Sequence, residues 1–204
     1  MTSRAATLAD AALPLDAGAQ AARWARTAVL VAAGAGLTAL AAQLAWQAPW
    51  SAVPYTGQTA AVLLVGTVLG SRRGLASMAL YVLVGALGVG VFSGGSSGLV
   101  DAGGALTVTL GYLVGFIVAA WLVGRLAESR WDRSPLRAAG LMAIGNLVIY
   151  AIGVPFLFAL APGMSVQDAL FYGAIVFIPW DAFKVLVAAG LLPLAWRAVG
   201  REQG

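Results

Sequence analysis

Residues 136–160 read LRAAGLMAIGNLVIYAIGVPFLFAL, a run that carries a single charge, Arg137, near its start. About 20 apolar residues suffice to cross the hydrocarbon core of a bilayer as an α-helix. This run therefore predicts a transmembrane helix. The whole chain has the same character, because 61% of its 204 residues are hydrophobic and only 10% are charged. Soluble domains carry roughly 25% charged residues, so the composition predicts a helical membrane protein.

Two residue types are missing altogether, and their absence excludes several kinds of chemistry. The sequence contains neither Cys nor His, which rules out disulfides, thiolate or imidazole metal ligands and Ser–His dyads. The eight acidic residues are too scattered for a carboxylate metal cluster. We therefore expect no metal, no cofactor and no enzymatic activity. The net charge of +4 is typical of cytoplasmic loops in membrane proteins, so we expect no nucleic-acid partner.

Hydropathy divides the chain into six predicted spans and a polar tail. The second span has twelve residues, rises only about 18 Å as a helix, and needs residues 53–55 to complete the crossing. Pro179 predicts a kink in the last span. The predicted fold class is all-α, a six-transmembrane-helix bundle over residues 25–204, preceded by a flexible or interfacial tail, residues 1–24. The spans are Thr27–Trp46, Thr59–Gly70, Leu75–Val91, Leu106–Val123, Leu136–Leu160 and Ala169–Trp196.

The arginines give an independent indication of topology. All eleven lie before the first span, in or at the edge of the second and fourth connections between spans, or after the last span. The charged residues of the first, third and fifth connections are Asp101 and Asp168 alone. Because cytoplasmic loops are enriched in Lys and Arg, both termini are predicted to lie on the cytoplasmic side of the plasma membrane.

One pair of charges lies inside a predicted span. Asp181 and the only lysine, Lys184, share a helix face at i, i+3 spacing. Each costs roughly 2.5–3.5 kcal/mol at mid-helix on insertion scales. We interpret the pair as part of a polar binding site. The alternative is an internal ion pair that merely tolerates burial.

Three other segments supply candidate ligand contacts. Asn146 and Tyr150 share a face of the fifth span, although Asn also joins membrane helices without binding a ligand. The segment 54–59, PYTGQT, lies at the mouth of the short second span, and the Gly/Ser run 92–98 can approach a ligand through its backbone. Either segment can instead be a plain external loop. The candidates from these two segments are Tyr55, Thr56, Gln58, Ser93 and Gly94.

These residues resemble those of the BioY family, the biotin-specific S components of energy-coupling factor (ECF) transporters. The resemblance covers most of residues 25–197. It rests on five motifs in order within a six-span chain: PYTGQT at 54–59, the Phe92–Gly98 loop, GYLVGF at 111–116, GNLVIY at 145–150 and PWDAFK at 179–184. Two features depart from the family pattern: Trp180 stands where a Gly is usual, and only Thr109, Gly111 and Tyr112 remain of the motif before the fourth span.

The resemblance implies a high-affinity biotin-binding membrane subunit. Such subunits pair with a transmembrane coupling subunit and two cytoplasmic ATPases. Asp181, Lys184 and Asn146 are then the expected contacts to the ureido head of biotin. Aromatic walls are expected from Tyr55, Tyr150 and Trp180, and the biotin carboxylate is expected near Ser93–Gly98 or at Lys184.

The small residues of the first span form a candidate docking face for the coupling subunit, with internal packing as the alternative: Ala32, Ala35, Gly36 and Ala39. Two alternatives stay open for the function itself. In the first, the chain is a stand-alone vitamin transporter without an ATPase module. In the second, it is an S component for another small vitamin. The sequence has no Walker A motif, so any ATP hydrolysis belongs to partner subunits.

Overall fold

The computed structural model describes residues 7–13, 20–49, 53–101 and 103–202. These residues are mostly helical. Single 3-10 turns lie at Ser93–Gly95, Trp131–Arg133 and Ile175–Phe177. The α-helices are α1 Leu8–Ala12, α2 Gln20–Gln43, α3 Gln58–Leu69, α4 Ser71–Ala86, α5 Leu110–Glu128, α6 Pro135–Leu160, α7 Val166–Gly173 and α8 Ile178–Glu202.

Four stretches are long and apolar enough to cross a membrane: Gln20–Gln43, Leu110–Glu128, Pro135–Leu160 and Val166–Val199, the last combining α7 and α8. Two shorter helices, α3 with 12 residues and α4 with 16, pack between them. The helical fold class is thereby confirmed. The count of six spans and the side of the termini remain predictions.

Several predicted helix bounds are wrong: α2 begins at Gln20 rather than Thr27, α4 spans Ser71–Ala86 rather than Leu75–Val91, and α5 spans Leu110–Glu128 rather than Leu106–Val123. Two further differences bear on the site. The first span was expected to continue to Trp46, but α2 ends at Gln43. Residues Ala45–Trp46 then form a strand, β1, which pairs antiparallel with a second strand, β2, at Tyr55–Thr56. This two-residue ladder satisfies backbone groups that would otherwise lack partners. It also fixes the polar segment at the start of α3.

The last predicted span is interrupted rather than kinked. Residue 174 has φ −140° and ψ −56°, outside the helical range, and a 3-10 turn separates α7 from α8. Pro179 is the second residue of α8, a position where the missing N–H costs nothing. The Ile175 carbonyl accepts from the cap N–H of Ile178. The neighbouring carbonyl of Val176 accepts from the Tyr55 hydroxyl at 3.2 Å.

Glycines allow α5 to lie at the centre of the bundle, where it packs against α3, α4 and α6. A Cβ on Gly66 of α3 would lie 2.5 Å from the carbonyl oxygen of Ala120, and a Cβ on Gly124 would lie 2.4 Å from the backbone nitrogen of Ser71. Only glycine permits such close backbone approach. The core around α5 is therefore dense and includes fully buried Val123, Ala120 and Leu141.

The end of the bundle opposite the strands holds a set of internal polar contacts. We call it the arginine end; it comprises α1, the α3–α4 junction at Gly70, the turn 131–133 and the C-terminal part of α8. Asp10 accepts from Arg73 at 2.7 Å and from Arg26 at 3.3 Å. Fully buried Asp132 accepts from the Trp196 indole at 2.6 Å. These bonds tie α1 and α8 to the rest of the bundle.

Candidate ligand-binding site

A cavity of about 440 Å³ lies at the end that carries the β1–β2 pair, which we call the cavity end. Its walls come from β2 and the start of α3, the loop 92–98, the start of α5, α6 and the α7–α8 junction. Cavities that hold small organic ligands measure about 300–1,000 Å³. The polar groups that line it are Gln47, Thr56, Gln58, Thr59, Ser93, Ser96, Ser97, Thr107, Thr109, Tyr112, Tyr150, Asp181 and Lys184.

The ion pair predicted from sequence forms one wall of this cavity. Lys184 Nζ lies 3.0 Å from Asp181 Oδ1, and the two side chains are 13% and 7% exposed. The ammonium also donates to Thr59 Oγ1 at 2.7 Å and to the Thr56 carbonyl at 3.1 Å. An ammonium has three N–H donors, so the protein satisfies all three.

Asp181 keeps part of its bonding capacity. Its Oδ2 accepts from the hydroxyl of Tyr150, and its Oδ1 accepts from Lys184, with the Thr59 hydroxyl at 3.5 Å. An ionised carboxylate offers about four acceptor positions. A ligand N–H that enters the cavity can therefore donate to Asp181 without displacing its partners.

A chain of hydrogen bonds begins at Thr56, beside this ion pair, and leads away from the cavity. Thr56 Oγ1 donates to Gln58 Oε1 at 3.0 Å, and Gln58 Nε2 donates to the hydroxyl of Tyr81 at 2.5 Å. Gln58 is 6% exposed and lines the cavity, whereas Tyr81 is 1% exposed and lies behind it on α4. The chain thus fixes the rotamer of a buried amide at the cavity wall.

The other end of the cavity has neutral donors only. Gly94, Gly95 and Gly98 adopt positive φ values, which lets the loop fold back over the opening. Thr107 Oγ1 is buried without a hydrogen-bond partner among the described residues. Lys184 is the single cation among the lining residues described above. An anionic group at this end therefore meets hydroxyls and backbone N–H groups.

The structure brings together seven of the ten predicted contacts in the lining of this cavity: Asp181, Lys184, Tyr150, Thr56, Gln58, Ser93 and Gly94. Tyr55 lies outside the lining, where its ring packs at 4.6 Å from that of Phe177. Trp180 points outward, 47% exposed, and stacks on Phe183 at 5.5 Å. Neither ring contributes the cavity wall expected of it. For Trp180 the reason is that the i, i+1 step to Asp181 turns the helix face by about 100°.

Asn146 lies elsewhere as well. It lines a smaller cavity of about 130 Å³ between α3, α6 and α8, which Lys184 also lines. Asn146 is 8% exposed, and its Oδ1 has no partner among the described residues. Lys184 therefore separates Asn146 from the larger cavity.

Several lining residues were not singled out from the sequence. Thr59 belongs to the segment 54–59 but was not chosen as a contact, yet it bridges Lys184 and Asp181. Tyr112 lines the cavity and donates to the Gly173 carbonyl at 2.7 Å, and its motif at 111–116 was the available signal. Phe177 had no signal, because it lies in the helix break. Within the described residues, no group of three or more Asp or Glu side chains is placed to hold a metal.

Comparison with known proteins places this architecture in a family. The family model described as "BioY family" matches residues 9–201. The chain belongs to the BioY family. It is 35% identical to "Biotin transporter BioY" of Rhizobium etli over 67% of this chain and 74% of that protein. It is 37% identical to "Biotin transporter BioY" of Thermotoga maritima over 74% and 86%.

A solved structure agrees in fold. The crystal structure of the S-component for biotin from an ECF-type ABC transporter aligns with a TM-score of 0.74, covering 88% of this chain and 95% of that one. Its sequence is 18% identical, so the likeness extends to the fold alone. Together with the apolar helices, membership of the BioY family identifies the chain as a membrane protein.

Proposed function

We propose that this chain is a biotin-binding S component of an ECF-type ABC importer, which captures biotin from outside the cell. The observation that carries the proposal is the buried Asp181–Lys184 pair in the wall of a cavity of about 440 Å³. An intramembrane ion pair is costly, and this one retains acceptor capacity toward a cavity of ligand size. The relatives named as biotin transporters support biotin as the ligand.

The ureido head of biotin fits this wall chemically. It presents two N–H donors and one carbonyl acceptor, and Asp181 accepts from an N–H through its remaining lone pairs. Lys184 supplies the counter-charge to this carboxylate through the 3.0 Å contact. Charge-assisted hydrogen bonds are shorter and roughly twice as strong as neutral ones, so this contact favours a cyclic urea. Asn146, in the smaller cavity, is a proposed contact only if Lys184 moves aside.

The remainder of biotin fits the rest of the cavity. Its apolar ring and chain pack against Tyr112, Phe116 and Phe177. Its carboxylate reaches the neutral donors of Ser93, Ser97 and Thr107 near the loop. This orientation follows from the engagement of all three Lys184 donors by the protein, which leaves no free cation for the carboxylate.

We further propose six crossings, counting α7 and α8 as one and letting the β1–β2 segment extend α3. The arginine end then faces the cytoplasm with both termini, and the cavity end faces outward, in the plasma membrane of a bacterium. Contacts of Asp10 with Arg26 and Arg73 support a common side for these arginines. Arg4 lies outside the described residues.

Partners are proposed from the same reasoning. A transmembrane coupling subunit and two ATPases energise uptake, since the chain has no Walker A motif of its own. On α2, Ala32 and Gly36 are exposed, Ala39 is half-buried and Ala35 is buried. Ala32 and Gly36 therefore form the outward part of the proposed docking face, while Ala35 packs within the bundle.

Calorimetry on the detergent-purified chain tests the binding step. Wild type should bind biotin tightly, and Asp181→Asn should lose most of the affinity because the amide accepts less strongly and is no longer a charged partner for Lys184. No binding by folded wild type, with another vitamin bound instead, would overturn biotin as the ligand. Uptake that proceeds without ATPase subunits would favour a stand-alone transporter.

A further inference from the structure

Gln58 contributes a side-chain amide to the cavity wall, and its hydrogen bonds decide which of its donors and acceptors remain unused. Its amide Oε1 accepts from Thr56 Oγ1, and one Nε2 proton goes to the Tyr81 hydroxyl. A primary amide has two N–H donors. The second Nε2 proton has no partner among the described residues, although the side chain is 6% exposed and lines the cavity.

The neighbouring donors are already engaged. The three N–H groups of Lys184 donate to the Thr56 carbonyl, to Thr59 Oγ1 and to Asp181 Oδ1. The Tyr150 hydroxyl donates to Asp181, and Asn146 lies in the smaller cavity. Gln58 therefore holds the unengaged side-chain donor at the Asp181 end of the cavity.

Tyr81 acts on this donor from behind the wall. It is 1% exposed and does not line the cavity, and it sits 23 residues from Gln58 in sequence, on α4. Thr56 is fixed in turn, because its Oγ1 also accepts from the Gln58 backbone N–H at 3.2 Å. That bond leaves the Thr56 hydroxyl proton free to donate to Oε1. With Oε1 accepting from Thr56 and one Nε2 proton donated to Tyr81, the second Nε2 proton is the group that the amide keeps for a ligand.

We propose that Gln58 donates its free N–H to the carbonyl of the ligand head group, and that Tyr81 is a positioning residue which sets this polarity and thereby selects a cyclic urea. The inference rests on the proposed function. Asp181 then requires a donor and Gln58 requires an acceptor on the same small ring. A cyclic urea satisfies both requirements, whereas a cyclic guanidinium satisfies only the first.

Replacing the hydrogen-bond donor at position 58 by an acceptor tests the inference. In Gln58→Glu, the carboxylate can accept from both Thr56 and Tyr81, so the fold has a satisfied side chain at the same position, while the group facing the ligand changes from donor to acceptor. The two probes are biotin and 2-iminobiotin, whose cyclic guanidine is protonated at neutral pH. A lost hydrogen bond to a buried partner corresponds to roughly a 10- to 100-fold change in affinity.

We expect wild type to prefer biotin and Gln58→Glu to lose about 100-fold in biotin affinity while gaining affinity for iminobiotin. Gln58→Met should lose biotin affinity without that gain. Tyr81→Phe should lower the affinity for biotin about 10-fold. It should also bring the affinities for biotin and 2-iminobiotin closer together. Thr67→Val, which removes another buried hydroxyl, bonded to the Leu63 carbonyl on α3, is the matched control and should leave the ratio unchanged.

Three outcomes overturn the inference. If wild type binds biotin and Gln58→Glu keeps the wild-type affinity ratio, the donor role is wrong while the proposed function stands. If Tyr81→Phe lowers the melting temperature by as much as Thr67→Val and changes no affinity ratio, Tyr81 has a structural role only. If wild type does not bind biotin, the proposed function and the inference fail together.

Discussion

The two ends of the bundle use paired aspartates in different ways. At the arginine end, Asp10 is shared between Arg26 and Arg73, with Thr7 beside it. At the cavity end, Asp181 is shared between Lys184 and Tyr150, and the same carboxylate lines a cavity. Neither of the two cavities is lined by Asp10 or Asp132.

This difference separates polar groups that stabilise the fold from groups that are available to a ligand. Pairing with a cation occurs at both ends, at Asp10 and at Asp181, and burial also occurs at both ends, at Asp132 and at Asp181, so neither property identifies the role. The discriminating observation is whether the paired groups still carry unused donors or acceptors toward an open volume. Asp181 and Gln58 meet that condition. A variant at the cavity end should therefore change binding, and a variant at the arginine end should change stability alone.

The largest expected effect comes from removing the cation at the cavity end. Lys184→Met leaves the buried carboxylate of Asp181 without its counter-charge, which typically destabilises by about 3–5 kcal/mol. Biotin binding should be lost as well. The measurements are thermal unfolding in detergent and calorimetric binding.

A double variant serves as the control for Lys184→Met. Adding Asp181→Asn removes the uncompensated charge, so it should recover most of the lost stability without recovering biotin affinity. If Lys184→Met binds biotin like wild type, the ion pair belongs to the structural class found at the arginine end, and the comparison between the two ends fails.

The matching variant at the arginine end is Asp10→Ala. It removes hydrogen-bonded contacts to two arginines that are less than one-fifth exposed, and we expect a loss of about 1–2 kcal/mol. Biotin affinity should stay at the wild-type value, because α1 does not line the cavity. Chemical denaturation and calorimetry on the same preparation measure both quantities. If the biotin affinity falls while the free energy of unfolding stays unchanged, α1 influences ligand binding and the prediction is wrong.

Two aspartates of the arginine end should respond oppositely to pH. For Asp10, burial raises the pKa, but hydrogen bonds from Arg73 and Thr7 and the charges of Arg73 and Arg26 together bring the pKa below 3.8. Its contribution to stability is therefore present above that value and lost as the pH falls through the lowered pKa. For Asp132, burial raises the pKa and outweighs the hydrogen bond from Trp196.

The stabilisation linked to Asp132 is consequently present below its ordinary pKa and lost as the pH rises through the raised one. Between about pH 2 and pH 7, we expect the stability difference between wild type and Asp10→Asn to fall as the pH drops below about 4, and that between wild type and Asp132→Asn to fall as the pH rises above about 4. Melting curves across this range measure both slopes. Parallel slopes would contradict the assignment of opposite electrostatic environments.

The sequence predicted the presence of the helices well but their bounds unevenly, since those of α2, α4 and α5 differ from the predicted ones by three to seven residues. The starts of α3 and α6 were predicted within one residue of Gln58 and Pro135, because polar and proline residues precede continuous apolar runs there. The break between α7 and α8 was expected only as a kink. Its position depends partly on the Tyr55 hydroxyl, which contacts Val176 from a distant part of the chain.

Which side chains share the cavity was harder to predict, for a related reason. Helical spacing correctly joined Asp181 to Lys184, but it does not state which face turns inward. Trp180, adjacent to Asp181, faces outward. The contact between Gln58 and Tyr81 joins two helices across a tertiary interface, and no periodicity in either segment predicts it.

The smallest expected effect in the isolated protein belongs to the outward face of α2. A Cβ on Gly36 would meet no atom within 4 Å, so Gly36→Leu should leave the melting temperature and biotin affinity unchanged. A leucine there would block close packing by another helix, since small residues allow membrane helices to approach. Uptake in cells that contain the coupling subunit and ATPases should therefore fall.

Gly34→Leu is the contrasting variant. A Cβ there would lie 2.6 Å from Ser77 Oγ and 2.8 Å from Val65 Cγ1, so the larger side chain should destabilise the chain itself. If Gly36→Leu leaves uptake at the wild-type rate, α2 does not dock through this face. Its small residues would then serve internal packing, as buried Ala35 does, and the arginine end together with α2 would be structural throughout.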